Sequence, residues 1–128
     1  MTTFFAEGDP VPQGSMSVFR GRAVHSNSAK LKQWRNLIHE AAKEAGLTPQ
    51  LEPANVDLTF YLARPRSVKR EEPTVKPDLD KLVRAVLDAL TGVGYNDDAQ
   101  VTRLVARKTY GSKPGVFIAL GPVTAGDS

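Results

Sequence analysis

The chain has 128 residues, 41% hydrophobic and 24% charged, with no cysteine. That fits one domain with its own core and excludes disulfide staples, thiolate nucleophiles and cysteine-type zinc sites. The net charge is +3. No apolar run approaches the roughly 18 residues of a membrane helix, and Met1 to Pro10 shows no basic or long apolar leader, so a cytoplasmic chain without a membrane partner is expected.

Thr3 to Ala6 reads as a short first strand, broken by Pro10-Val11-Pro12-Gln13-Gly14. Met16 to Val24 predicts one or two short strands around Arg20-Gly21-Arg22. Ser26-Asn27-Ser28 is a helix-start cluster, and Leu31, Trp34, Ile38, Ala41 and Ala45 form one apolar stripe of an amphipathic helix. Trp34 falls on that stripe and is read as core. Gly46 is the expected stop. Val56, Leu58, Phe60 and Leu62 alternate with polar residues, the pattern of a half-buried strand.

From Ala63 to Lys76 all periodicity is lost. The segment holds Pro65 and Pro73 and is basic, with Arg64, Arg66, Lys69, Arg70 and Lys76 against Glu71 and Glu72. Unstructured loops of this length are usually functional or disordered. Leu79, Leu82, Val83, Val86, Leu87 and Leu90 mark a second amphipathic helix, ended by Thr91-Gly92-Val93-Gly94. Val101 to Tyr110 and Val116 to Leu120 flank a glycine-containing turn and are expected to form a hairpin. The sum is a mixed α/β (α+β) domain over residues 1–128, a small mixed sheet packed with two main helices, with 124–128 a frayed tail.

The acids are concentrated. Residues 77–100 hold Asp78, Asp80, Asp88, Asp97 and Asp98 against Lys81 and Arg84, between two basic stretches. Residues two apart in a helix point to nearly opposite sides. Asp78 can therefore join Asp80 only from outside the helix, as an N-cap after Pro77. Asp88 shares a face with Asp80 but lies about 12 Å along the axis, beyond the reach of one ion. It is read as structural, pairing with Arg84. Further ligands must come from Asp97-Asp98, if the next strand returns the chain to the helix start. Hard oxygen donors suit Mg²⁺ or Mn²⁺. With His25 and His39 the only histidines, no Ser-His-Asp set is suggested, and a water activated by the metal is the expected nucleophile. Capping and turn chemistry account for the same aspartates without any metal.

The run from Pro77-Asp78-Leu79-Asp80 through Asp88-Ala89-Leu90, then Asp97-Asp98-Ala99-Gln100-Val101, resembles the signature of RusA-type Holliday-junction resolvases. That signature reads D-x-D-N-x-x-K-x-x-x-D-A-L, a short loop, then D-D-x-Q-V. The resemblance implies a homodimeric, Mg²⁺-dependent endonuclease, cellular or phage-encoded, that nicks four-way DNA junctions in recombination and repair. It carries the catalytic role onto Asp78, Asp80 and Asp98, with Asp97 as their neighbour. Lys81 replaces the family's Asn, and Arg84 takes the catalytic place of its functional Lys, keeping the charge and able to clamp a phosphate but without ready proton exchange.

Phosphate contacts are expected from Arg64, Arg66, Lys69, Arg70, Lys76 and Lys81, and from Arg103 and Arg107 on one strand face. Met16 and Phe19 are candidates for a dimer surface. A non-catalytic nucleic-acid-binding module and a nuclease for flaps or other branched DNA remain the alternatives.

Overall fold

The alternating run around Val56 becomes the centre of the molecule. A computed structural model describes residues 1–14, 16–19, 22–25 and 28–124. The elements are β1 (Thr2–Glu7), β2 (Met16–Phe19), β3 (Arg22–His25), α1 (Ser28–Glu44), β4 (Ala54–Leu62), α2 (Leu79–Leu90), a 3₁₀ turn at Asp98–Gln100, β5 (Val101–Tyr110) and β6 (Gly115–Pro122). β2 and β3 pair with each other, and the other four strands form a mixed sheet in the order β1-β6-β4-β5. The Ser26-Asn27 cluster, Arg20-Gly21, the side chains of Met16, Phe19 and His25, and the tail from Ala125 lie outside the described residues.

Strand alternation sorts the sheet into two faces. Val56, Leu58 and Phe60 of β4, with Val116, Ile118 and Leu120 of β6, are buried in one cluster with both helices. α1 contributes Leu31, Trp34, Ile38 and Ala42, and α2 contributes Leu82, Val86 and Leu90. Trp34 is core, as its place on the stripe predicted. Gly46 ends α1 with φ +88, and Leu47 N–H donates to the Ala42 carbonyl at 3.1 Å, a closure that needs the left-handed residue expected there. His39, unassigned from sequence, has Nδ1 3.0 Å from the Ala89 carbonyl and ties α1 to α2. No helix among the described residues is long and apolar enough to cross a membrane.

The opposite face of the sheet shows Phe5, Asp57, Tyr61, Val105, Arg107 and Phe117 by the same parity. The helices do not cover it. Ala119, which faces this side, is buried yet stands outside the core cluster.

One expectation fails. β5 and β6 do not form a hairpin, because β4 lies between them, parallel to β5 and antiparallel to β6. The turn at 111–114 crosses the end of β4, where Gly111 N–H donates to the Leu62 carbonyl at 3.0 Å. Strands two apart are separated by about 9.6 Å, and a five-residue step reaches ~16 Å, so a short gap permits the crossing as readily as a hairpin.

Candidate active site and nucleic-acid interface

β4, α2 and β5 make a strand–helix–strand unit with parallel strands. In such a unit the helix starts at the edge where the first strand ends and finishes where the second begins. This decides where the aspartates fall.

Asp78 occupies the N-cap of α2 with extended backbone (φ −69, ψ 137), so it stands outside the helix as the geometry required. Its carboxylate makes no capping hydrogen bond. It pairs instead with Lys81, Nζ to Oδ2 3.8 Å. Capping therefore does not account for an acid here. Asp80 lies exposed in the first turn. One turn on, Arg84 is exposed, and its Nη1 lies beside the backbone of Gly14.

Asp97 and Asp98 begin the chain's approach to β5, at the opposite edge. Asp97 caps the 3₁₀ turn: its Oδ1 accepts from Ala99 N–H at 2.8 Å, while Gln100 Oε1 accepts from Asp97 N–H at 3.0 Å. Gln100 Nε2 also donates to the Gln50 carbonyl at 2.8 Å. Asp97 thus has the turn role open to it from sequence. Asp98 lines a hollow with Asp88, Thr91 and Arg35. Burial raises the Tyr95 phenol well above its ordinary range, and the nearby Asp98 charge adds to that rise. The phenol donates to the Leu87 carbonyl at 2.7 Å.

Asp88 pairs with Arg35 of α1 at 3.8 Å and accepts from Gln13 Nε2. The expected partner was Arg84. The lateral cation from the neighbouring helix takes that place, and Gln13 is held over α2 by its own N–H on the Lys81 carbonyl. Asp88 is thereby tied to α1 and to the segment before β2, not to Arg84.

Two carboxylate groups result, Asp78 with Asp80 at the start of α2 and Asp88, Asp97 and Asp98 at its end. Along the axis Asp88 lies about 12 Å from Asp80, and the 12-residue helix spans about 18 Å before the chain reaches Asp97 and Asp98. The chain does not return to the helix start, because β5 begins beside Ala54 at the far edge. Among the described residues, no three potential ligands converge on one metal ion.

The loop that leads into Asp78 carries most of the remaining cations expected to meet phosphate. Arg66, Lys69, Arg70 and Lys76 are exposed on the loop between β4 and α2. Arg64 Nη1 donates to the Arg70 carbonyl at 2.5 Å, and its guanidinium lies 4.6 Å from the centre of the Tyr110 ring. Arg103 and Arg107 share the sheet face away from the helices, where Arg107 Nε donates to Thr59 Oγ1 at 3.1 Å.

A model of the endodeoxyribonuclease RusA family matches residues 7–121, nearly the whole chain. The chain belongs to the RusA endodeoxyribonuclease family. A Bacillus subtilis (strain 168) protein described as uncharacterized protein YqaN is similar, 32% identical over 137 residues, covering 95% of this chain and 96% of its own. Membership of the RusA family indicates a nuclease and so an enzyme, and the fold beneath it is the α+β arrangement read from the sequence.

One residue of this RusA-family chain was missed by sequence reading. Lys108 Nζ donates to the carbonyls of Val75 at 2.7 Å and Pro77 at 2.8 Å, and so fixes the chain entering Asp78. The signal was parity. Lys108 lies opposite Phe60, on the inward side of β5, where a lysine needs a partner. Lys108→Met is expected to cost about 1.5–3 kcal/mol, the range for a charged hydrogen-bond donor. Urea unfolding measures this, and Lys108→Arg should recover part of the loss.

Proposed function

We propose that the chain is a metal-dependent endonuclease that resolves four-way DNA junctions by paired symmetric nicks, with its reactive centre at the start of α2. The observation that carries this is the Asp78–Asp80 pair, exposed, not consumed by capping, and bordered by Lys81, Arg84 and the basic loop.

The donor chemistry fits Mg²⁺ or Mn²⁺. Magnesium is commonly held by one or two carboxylates with water and substrate phosphates completing its shell, so a third protein ligand is not required. Asp78 and Asp80 are the residues that would hold it. Bound there, the cation supplies charge that stabilises the transition state at the scissile phosphate. Arg84 and Lys81 offer positive charge next to those carboxylates and would orient the DNA backbone. Arg84, unlike lysine, acts by charge alone. Asp98 enters the proposal through the family signature, and Asp97 as its neighbour.

Two nicks related by symmetry suit a two-fold enzyme, which supports a homodimer acting on the junction. The test compares rates on a synthetic four-way junction, a flap and a linear duplex with Mg²⁺. Paired symmetric nicks in the junction, faster than cutting of the other two, are expected. Faster cutting of flaps would reassign the substrate, and binding without nicking under Mg²⁺ or Mn²⁺ would leave only a binding module.

A further inference from the structure

We propose that the aromatic cavity on the sheet face away from the helices receives an unstacked base from the DNA strand that passes Asp78. The proposal rests on the reading of the chain as a DNA-handling protein. It does not depend on cleavage.

The cavity, about 540 Å³, is walled by Phe5, Tyr61 and Phe117 and rimmed by Lys113. This lies within the ~300–1,000 Å³ of small-molecule pockets. Phe5 and Tyr61 stand 6.2 Å apart with their planes at 54°. Glycines keep them there. A Cβ at Gly111 would come within 2.8 Å of the Tyr61 ring, and one at Gly115, paired with Tyr61 across the strands, would strike the Phe5 ring. The rings lie against bare backbone, and side chains at these positions would displace them.

The charge at the rim selects the kind of guest. Lys113 Nζ lies 5.9 Å from the Phe5 centroid and 2.9 Å from Glu7 Oε1. Glu7 offsets the lysine, so a flat neutral group fits better than a phosphate. Aromatic side chains stack on bases of any sequence.

Continuity with the candidate active site supplies the strand. The cavity shares Gly111 and Ser112 with a hollow lined by Arg64 and Tyr110. That hollow shares Ala63 and Tyr110 with one lined by Arg70 and Lys76. The latter shares Lys76 and Pro77 with a hollow lined by Asp78 and Lys81. The path therefore begins at Asp78, crosses the cationic loop over the Arg64–Tyr110 stack, and ends among the rings. Phosphates find cations along it, and a base finds the aromatic pocket at its end.

The experiment uses the full chain without divalent metal. Two single-stranded oligonucleotides are compared, one carrying 2-aminopurine and one abasic over the same span. Wild type should quench 2-aminopurine and prefer the base-bearing strand by about tenfold. Phe117→Ala removes a side chain that is 40% exposed. It should abolish the quench and the preference while leaving abasic-strand affinity unchanged. Gly111→Ala, which displaces Tyr61, should do the same. Equal wild-type affinity for both strands overturns the proposal. So does an equal fall in both affinities for Phe117→Ala with dissociation of a dimer in sedimentation, which would assign the face to a second copy. Failure of wild type to nick a junction bears on the nuclease reading alone.

Discussion

Asp80→Asn is expected to reduce junction cleavage at least about a hundredfold, a loss of ~2.7 kcal/mol in transition-state stabilisation, while junction binding persists. Asparagine keeps the size and polarity of the side chain and removes only its charge. Asp80 sits in the first turn of α2, where a negative charge favours the helix. That effect is worth about 0.3–1 kcal/mol, so folding should change by no more than this. The gap between the two magnitudes separates a reactive carboxylate from a helix-stabilising one. Single-turnover cleavage with Mg²⁺, beside urea unfolding of the same variant, measures both. Near-normal cleavage with Asp80→Asn would remove the start of α2 as the reactive centre. Asp98→Asn is the informative companion, because its carboxylate lies at the other end of the helix, beside Asp88 and Thr91. An equal loss there would require both ends of α2 to act on one DNA.

Junction affinity should fall steeply with salt. Five cations, Arg64, Arg66, Lys69, Arg70 and Lys76, lie on the loop beside Asp78. If each meets a phosphate, the slope of log affinity on log salt is about −4.5, a loss on the order of several hundredfold between 50 and 200 mM. Arg66→Gln should reduce the slope by about one and weaken binding alike for all sequences. Arg107→Gln should change it less, since its guanidinium already donates to Thr59 on the face away from the helices. Fluorescence anisotropy with a labelled junction across a salt series reads both slopes. A slope near zero would detach the loop from the DNA.

Local patterning made most of the architecture readable. Val56, Leu58 and Phe60 announced the central strand, the stripe through Trp34 and Ile38 announced α1, and Gly46 announced its end, because each depends on neighbours within a few residues. Strand order was not readable in the same way. The gap between Tyr110 and Gly115 suits a hairpin and a crossing over β4 equally, and only the sheet distinguishes them.

The candidate site divides along the same line. Asp78 as an N-cap outside the helix followed from Pro77 and helical angles. The meeting of Asp97 and Asp98 with Asp80 required the path of β5, and parallel pairing with β4 sends that path to the far edge. Parity could mark Lys108 as a lysine in need of a partner, but its partners, like the Arg35–Asp88 pair, were out of reach, since they lie 31 or more residues away in the chain.

The lysine that grips Val75 and Pro77 also gives the long loop a modular character. Its base is pinned by Lys108 at one end and crossed by the Arg64–Arg70 bond, while Arg66 and Lys69 project from the tip. The entropy of closing such a loop grows only slowly with its length. Sequence drift or insertion at the tip therefore adds little thermodynamic burden and leaves the entry to Asp78 in place. Under the proposed function, DNA preference could change by exchanging residues at the tip, while the entry to Asp78 keeps a clamp that the tip does not share.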